Sequence, residues 1–342
     1  WTREAAFVDA LAAAVRERRV DVGLPIADVA SALVAEHRER LAPACVPLPS
    51  ADALRRAADK ADVLRTAQRL GLGTPRTIFL EDGEPLPATN GLSYPVVVKP
   101  RRSRVRGESG WVSCSVAYVD TPEALALLVS KMPRGAFPLA LQERIHGAGM
   151  GVFLCRLGGR VIARFSHRRI REKPPTGGVS VLCESTPMDP EALAAAEALL
   201  VELDWQGVAM VEFKVDDRDG RPKLMEINGR FWGSLQLAVD AGVDFPALLL
   251  EHWPDAVNAH MPAYRVGVRT RWLLGDVDAL LIRLLGRSQP DETSRARAVA
   301  DFLTCWGRDL HYENPRWSDL GPCWREAAQW VARLAGARAG GS

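Results

Sequence analysis

GVAMVEFKVDDRDGRPKLMEINGRFWGS, residues 207–234, has the pattern of a β-hairpin. Val208–Val215 and Pro222–Ile227 are apolar runs of strand length, and the Asp219-Gly220 pair between them is a turn signal. Each run also contains a glutamate, so the hairpin carries acidic groups among side chains that would otherwise form a core.

The two glutamates of this hairpin are expected to face each other. Because side chains alternate along a strand, a register that pairs Lys214 with Leu224 puts Glu212 opposite Glu226, with Asn228 one step beyond. Facing carboxylates repel each other unless a cation lies between them. Carboxylate and amide oxygens suit a hard cation, so the hairpin predicts a Mg²⁺ or Mn²⁺ site. The alternative is a solvated acidic face, which the surrounding apolar residues disfavour.

The same residues carry a family resemblance. Glu212 followed by Glu226-Ile227-Asn228-Gly229-Arg230 resembles the metal-binding signature of the ATP-grasp superfamily. The resemblance implies that Glu212, Glu226 and Asn228 bind the magnesium ions that bridge the phosphates of ATP. It also implies that Arg230 faces a carboxylate or an acyl-phosphate. The usual family form has a proline at the position of Gly229.

The resemblance implies an ATP-grasp fold of mixed α+β and α/β character, in which two α+β subdomains clamp ATP. We expect a partial Rossmann-like domain at residues 1–50 and the ATP-grasp core at 51–260. Within the core, the nucleotide-binding subdomain would span about 80–145 and the catalytic subdomain about 146–260. Residues 261–342 would form a C-terminal strand and a helical extension rich in tryptophan, whose tryptophans are interpreted as packing residues.

The first fifty residues predict alternating helices and strands. The helices are expected at Glu4–Arg18 and Ala27–Leu41, and the strands at Val20–Ile26 and Cys45–Leu48. No glycine fingerprint of a dinucleotide site occurs here. The segment resembles the latter part of the domain that precedes many ATP-grasp cores. The sequence does not begin with methionine, and we expect part of that domain to be missing.

Composition excludes several classes of protein. The 342 residues are 47% hydrophobic and 25% charged, with a net charge of +2, which gives no bias towards nucleic acid or membrane surfaces. The six cysteines form no CxxC pair, so neither a zinc knuckle nor a disulfide scaffold is indicated. Free thiols and the absence of an apolar run of about 18 residues predict a cytoplasmic protein that does not span a membrane.

Two lysines are candidates for binding the nucleotide phosphates. Tyr94–Pro100 has a buried-strand pattern that ends in Lys99, where an ammonium is costly unless it meets an anion. In the family a lysine here binds phosphate, and a mobile glycine loop, here Arg101–Gly110, follows it. The helix predicted at Ala51–Leu70 contains Lys60, which by resemblance also reaches the phosphates. The alternatives are a solvated lysine, a solvated loop, or a nucleic-acid patch, which lacks interleaved aromatic residues.

The adenine site is expected at Leu139–Ile145. This strand resembles the hinge strand of the family, and a glycine turn follows it. By position, the side chain of Gln142 or Glu143 and the backbone of Arg144 and Ile145 would read the adenine edge. An ordinary strand that ends in a glycine turn is the alternative.

A basic segment, His167–Gly178, is the candidate for substrate binding. It resembles the substrate-facing segment of ATP-grasp carboxylate–amine ligases similar to D-aspartate ligase, and more distantly of carbamoyl-phosphate-synthetase-like enzymes. Guanidinium groups bind carboxylates and acyl-phosphates with paired hydrogen bonds. Arg169 or Arg171 would therefore stabilise the intermediate together with Arg230. A solvated basic loop is the alternative.

The resemblance implies an ATP-dependent carboxylate–amine ligase. A substrate carboxylate would attack ATP to give an acyl-phosphate and ADP, and an amine would then displace phosphate to form an amide. Amino acids, peptides or natural products are the expected small-molecule substrates, and a homodimer is consistent with the family. Two other functions remain open, namely a bicarbonate-dependent carboxylase and an ATP-binding regulatory module without turnover. No Met-Lys-Met biotin attachment sequence is present.

Overall fold

In the computed structural model, residues 3–87, 91–107, 110–175, 177–286 and 294–339 are described. Their helices are α1 (Glu4–Arg18), α2 (Asp28–Glu36), α3 (Ala51–Ala57), α4 (Lys60–Arg69), α5 (Pro122–Ser130), α6 (Pro190–Glu202), α7 (Leu235–Ala241), α8 (Phe245–His252), α9 (Leu273–Leu285), α10 (Arg295–Leu303) and α11 (Gly321–Ala339). Their strands are β1 (Thr77–Leu80), β2 (Val96–Lys99), β3 (Arg104–Gly107), β4 (Gly110–Ser113), β5 (Ala117–Val119), β6 (Leu139–Glu143), β7 (Gly149–Leu157), β8 (Arg160–Lys173), β9 (Val179–Ser185), β10 (Gly207–Val215), β11 (Pro222–Asn228), β12 (Arg269–Arg271) and β13 (Leu310–Tyr312). Helices and strands are both abundant, as expected for the predicted mixed fold class.

The backbone packs into two units, each built from segments that are distant in the sequence. The first unit comprises Trp1–Arg164, Met188–Trp232 and Phe245–Met261, and the second comprises Phe165–Pro187, Gly233–Asp244 and Pro262–Ser342. One boundary between the units, at Met261 and Pro262, lies next to the predicted division at residue 260, whereas no boundary lies near residue 50. The predicted domains, each a continuous range, remain a prediction.

The first unit contains three groups of strands. One antiparallel sheet has the order β1-β6-β2-β5, and β3 and β4 form a separate two-stranded ribbon. The strands β11, β10 and β7 are neighbours in that order, and both pairings are antiparallel. The helices α3, α4 and α6 pack against these strands around the buried Trp205. This core holds the predicted hairpin, which is β10 and β11.

The hairpin confirms the facing glutamates and corrects the register beyond them. Glu212 lies opposite Glu226, but a bulge follows, so that Lys214 pairs with Lys223 rather than with Leu224. Leu224 and Ile227 both belong to the core although they are three residues apart. Strict alternation would turn one of them away from it, and the extra residue of a bulge removes this conflict.

The N-terminal prediction was right in its helices and wrong in its strands. Helix α1 has the predicted bounds, whereas α2 ends at Glu36 and a 3₁₀ turn follows it. In place of two strands, one parallel bridge joins Val22 and Cys45. Two backbone hydrogen bonds, from Gly23 to Cys45 and from Cys45 to Asp21, hold this bridge. So short a parallel pairing does not form a ladder.

The helix predicted at Ala51–Leu70 is two helices. Helix α3 ends at Ala57, and α4 begins at Lys60. The break is at Asp59, whose carboxylate accepts hydrogen bonds from two N–H groups of the first turn of α4, each at 3.1 Å. This N-cap makes Lys60 the first residue of a helix instead of one in the middle.

The second unit contains the sheet β8-β9-β12-β13, in which β12 and β13 are parallel. Strand β8 reaches Lys173, so much of the predicted basic segment is strand and not loop. The strand predicted at Tyr264–Trp272 is confined to the three residues of β12. Thr176, which belongs to the basic segment, lies outside the described residues. Within the described ranges, no helix is both long enough and apolar enough to cross a membrane.

Gly229, where the family usually has proline, is required by packing in this protein. A Cβ atom at this position would come within 2.5 Å of Cη2 of Trp205 and within 2.9 Å of Cδ2 of Leu54. We expect G229A to lower the free energy of unfolding by about 1–3 kcal/mol, because extra volume in a packed core forces its neighbours to move. Urea denaturation followed by tryptophan fluorescence measures the change.

Gly233 is the matched control, since a Cβ there would meet nothing within 4 Å. G233A should leave the urea midpoint nearly unchanged. Equal midpoints for the two variants would show that Trp205 and Leu54 do not restrict residue 229.

Candidate functional site

Charged groups from four elements of the first unit meet beside the hairpin. The ammonium of Lys60, from α4, lies 2.8 Å from Oε2 of Glu226 on β11. Lys99, at the end of β2, interacts electrostatically with Lys60, Glu226 and Glu212. Of the predicted residues, the structure therefore brings together both lysines and both hairpin glutamates.

Lys60 is held in place by its own backbone as well as by the cap on its helix. Its N–H donates to the carbonyl oxygen of Arg101 at 2.8 Å, and Arg101 in turn forms an ion pair with the buried Asp59. The Lys60 ammonium also lies 3.4 Å from Oγ of Ser103. The start of α4 is thereby fixed to the segment that follows β2.

Lys99 is buried, with 9% of its surface exposed. Its Nζ lies 3.6 Å from Sδ of Met225, the residue that the hairpin bulge leaves without a cross-strand partner. Burial lowers the pKa of Lys99 to about 8, although the Glu226 carboxylate acts to raise it. An anion bound beside this buried ammonium would stabilise its charged form.

Glu226 is the centre of this cluster. The Nδ2 of Asn228 donates to its Oε1 at 3.3 Å. Burial would raise the pKa of Glu226, but the ammonium groups of Lys60 and Lys99 and the Asn228 hydrogen bond together lower it below its usual range. The side chain is therefore an anion at neutral pH.

The donor set suits a hard cation that is only partly held by protein. Glu212 and Glu226 face each other and Asn228 adds an amide oxygen, which are the ligand types that Mg²⁺ prefers. Among the described residues, no group of three or more His, Cys, Asp and Glu side chains could hold a metal without other ligands. The two glutamates and Asn228 would therefore supply only part of the coordination of a metal. This suits Mg²⁺, which usually keeps water and substrate phosphates as its other ligands.

A cavity of about 250 Å³ adjoins the cluster within the first unit. Lys60, Glu226, Asn228 and Arg230 all line it. The Arg230 guanidinium donates to Asp28, at the start of α2, with its Nε 2.6 Å from Oδ1. Two of the predicted metal ligands, Glu226 and Asn228, thus share one cavity with Lys60 and Arg230.

The residues predicted to read adenine lie on and just after β6. Gln142 is buried and donates to Oγ1 of Thr77 at 2.8 Å, while Glu143 accepts from the backbone N–H of Arg76 at 2.8 Å. The guanidinium of Arg144 lies over the ring of Tyr118, and the carbonyl oxygen of Ile145 accepts from Lys214 at 3.3 Å. Their nucleotide role remains a prediction.

Arg169 and Arg171 belong to the second unit, where each already has an acidic partner. Arg169 pairs with Glu172 at 2.9 Å. Arg171 donates from Nε and Nη2 to the buried Asp276, at 2.7 and 2.6 Å, and Arg271 donates to the same carboxylate. Their proposed role at the reaction centre remains a prediction.

Residues 137–275 match the profile of a family described as ATP-grasp in the biosynthetic pathway with Ter operon. Among solved structures, an L-amino acid ligase from Bacillus licheniformis matches with a TM-score of 0.56 and 21% identity. A biotin carboxylase from Campylobacter jejuni, in complex with an ATP analogue, matches with a TM-score of 0.57 and 15% identity. The chain has an ATP-grasp fold.

A third match is the biotin carboxylase domain of Hydrogenobacter thermophilus 2-oxoglutarate carboxylase, with a TM-score of 0.56 and 16% identity. The three alignments cover 72%, 77% and 79% of this chain. They cover 59%, 60% and 60% of the other chains, so this chain spans about three fifths of their length. No curated protein matches its sequence significantly. The ATP-grasp fold expected from the hairpin is confirmed.

Sequence reasoning missed part of the cavity wall of this ATP-grasp protein. Asp28 and Ser31 of α2, Arg102 and Trp111 also line the cavity. The Trp111 indole N–H donates to Oε1 of Glu4 at 2.6 Å and so ties the β3–β4 ribbon to α1. Arg102 belongs to the predicted loop Arg101–Gly110, but the other three residues belong to no motif. An acidic residue such as Asp28 is common in the first turn of a helix, so its sequence does not mark it as a site residue.

We expect the buried ammonium of Lys99 to lower the stability of the protein at neutral pH, and K99M tests this. Below pH 8 the ammonium is charged in the folded and unfolded states, so folding carries the full cost of burying it. As the pH rises from about 8 towards the ordinary value of 10.5, this cost disappears. We expect K99M to raise the free energy of unfolding by roughly 1–3 kcal/mol at pH 7 and by much less at pH 10.

Denaturant unfolding at the two pH values measures this difference. The exposed Lys131 is the control, and K131M should have nearly the same stability as the wild type at both. A K99M protein that is less stable than the wild type at pH 7 would mean that the charged Lys99 is satisfied by its neighbours.

Proposed function

We propose that this ATP-grasp protein is a carboxylate–amine ligase that forms an amide through an acyl-phosphate and releases ADP and phosphate. The observation that carries the proposal is the cavity lined by Lys60, Glu226 and Arg230, with Lys99 next to Glu226. The cavity thus contains a cation for a polyphosphate, an acid for its metal and a guanidinium for a carboxylate. Amino acids, peptides or related natural products are the proposed substrates.

The nucleotide phosphates would bind at the two lysines. The pKa of Lys99 is lowered because burial disfavours its charged ammonium. A phosphate oxygen would supply the missing counter-charge. Lys60 now pairs with Glu226 and could turn to a phosphate once a metal takes over that carboxylate. Glu212, Glu226 and Asn228 would hold Mg²⁺ or Mn²⁺, which neutralises charge on the transferring phosphoryl group.

Arg230 would bind the substrate carboxylate and then the acyl-phosphate. Its guanidinium has five N–H donors, of which two donate to Asp28 and one to the carbonyl oxygen of Phe231. Two donors therefore remain for a ligand in the cavity. A planar guanidinium matches the two oxygens of a carboxylate, so Arg230 would also orient it for attack.

The chemistry requires no covalent attachment to the protein. The thiols of Cys155 and Cys183 are buried, and burial raises the pKa of each to about 12. Neither is therefore available as a thiolate at neutral pH. Positioning of the substrates and charge compensation by the cavity would supply the rate.

A bicarbonate-dependent carboxylase is the second candidate. Two of the structures with the same fold are biotin carboxylases, and one of them was determined with bicarbonate. The two functions differ in what attacks ATP. Dependence of ADP release on added bicarbonate, in degassed buffer without amino acids, would favour the carboxylase.

The surroundings of the protein are inferred from its thiols and its fold. All six cysteines are free thiols, which is typical of a reducing compartment such as the cytoplasm. They are Cys45, Cys114, Cys155, Cys183, Cys305 and Cys323.

A homodimer is proposed because the biotin carboxylase domain of similar fold is described as a dimer. Light scattering on the purified protein would measure the mass.

The ligase is tested by phosphorus NMR of the protein with Mg–ATP and a pool of amino acids and short peptides. ADP and phosphate should appear only with the pool, and E226Q should abolish both products because the metal would lose a charged ligand. The control is E251Q, which changes an exposed glutamate of α8 and should turn over like the wild type. AMP and pyrophosphate would contradict the acyl-phosphate route, and turnover by E226Q would contradict the metal assignment.

A further inference from the structure

The cavity that holds Glu226 and Arg230 has a wall that the proposed reaction does not explain. Helix α2 supplies this wall through Asp28, Val29, Ser31 and Ala32. Nothing in the transfer of a phosphoryl group requires an acid here, since Asp28 would repel both ATP and a substrate carboxylate. A carboxylate at this position would instead favour a ligand that carries a cationic group.

Asp28 and Arg230 present a pair of opposite charges to the cavity. Two hydrogen bonds join them, from Nε to Oδ1 at 2.6 Å and from Nη2 to Oδ2 at 3.3 Å. Asp28 is 65% exposed at its side chain and Arg230 is 25% exposed, so both can be reached by a ligand. A plain carboxylate that approaches Arg230 meets the Asp28 carboxylate beside it. A cation next to the carboxylate of the ligand would pair with Asp28 and remove this repulsion.

Ser31 supports the same conclusion independently. It lies three residues after Asp28 and therefore on the same face of α2. Only 2% of its surface is exposed, and its hydroxyl has no hydrogen-bond partner among the described residues. A buried hydroxyl without a partner costs free energy, so such a group in a cavity wall points to a polar ligand atom. An ammonium can donate to it, and a carboxylate can accept from it.

The rest of the wall is partly basic, through Lys60, Arg102 and Arg104, and partly apolar. Val29, Ala32, Leu54, Ala57 and Trp111 line the same cavity. Uncharged aliphatic and aromatic groups beside a charge pair suit a ligand with one charged end and an apolar body. A side chain of moderate size would fill this part of the space.

We propose that the carboxylate substrate is an α-amino acid bound as a zwitterion. Its carboxylate takes the two remaining donors of Arg230, its ammonium takes Asp28 and Ser31, and its side chain lies on the apolar wall. An α-amino acid carries its two charges on adjacent groups, which matches the adjacency of Asp28 and Arg230. This inference rests on the proposed ligase function and adds Asp28 and Ser31 as residues that select the substrate.

The test compares two sets of carboxylates, each with Mg–ATP and a pool of amino acid amides that serve as amines but cannot be activated. One set is the twenty L-amino acids, and the other is their des-amino carboxylic acids. ADP release should occur with the first set only. In D28N the KM for the most active amino acid should rise about 10- to 100-fold, the loss expected for one charge-assisted hydrogen bond, while the KM for ATP stays unchanged.

Asp52 provides the matched control. Like Asp28 it lies in the first turn of a helix, it pairs with an arginine, and its side chain is 65% exposed, but it does not line the cavity. D52N should keep the wild-type KM for both substrates. S31A should raise the KM for the amino acid without lowering the melting temperature, because the hydroxyl that it removes has no partner in the described structure.

The remaining outcomes distinguish a failure of zwitterion binding from a failure of the ligase function. Equal ADP release from the des-amino acids would keep the ligase and overturn zwitterion binding. An equal effect of D28N on both sets would mean that Asp28 only positions Arg230. Absence of ADP with either set, in protein that still binds a non-hydrolysable ATP analogue with Mg²⁺, would overturn the ligase function together with this substrate class.

Discussion

The ionic contact between Lys60 and Glu226 is the interaction on which the rest of the site depends. Glu226 faces Glu212 across the hairpin, and two facing carboxylates would push β10 and β11 apart without a cation nearby. Lys60 supplies that cation at 2.8 Å, and Lys99 supplies a second positive charge from β2. The two lysines thus connect α4 and β2 to the hairpin, which lies more than a hundred residues further along the chain.

Placing these charges correctly requires irregular backbone at two points. The cap at Asp59 breaks one predicted helix into two and puts Lys60 at the start of the second. The bulge at Met225 lets Leu224 and Ile227 both reach the core while Glu226 stays on the charged face. A regular helix and a regular strand would each have satisfied local preference, but neither would have brought Lys60 and Glu226 together. Tertiary contacts therefore override local regularity at the site.

What the sequence predicts well is what neighbouring residues determine. The hairpin and the facing glutamates follow from alternation and turn residues, which act over a few positions. The bulge was not predictable, because it depends on which side chains the distant α3 and α6 cover. The N-terminal strands failed for a similar reason, since an apolar run becomes a ladder only when a neighbouring strand extends beside it. Asp28 gave no signal of its own, because its partner is Arg230, two hundred positions away.

The cavity contains two ion pairs, Lys60 with Glu226 and Arg230 with Asp28. A ligand that brought only negative charge would release a cation from each pair and leave two carboxylates unmatched. Under the proposed function, Mg–ATP would bring a metal for Glu226 with phosphates for Lys60, and a zwitterion would bring an ammonium for Asp28 with a carboxylate for Arg230. In both exchanges every charge that loses a partner would gain another. The same requirement for balanced charge therefore connects the two proposed ligands.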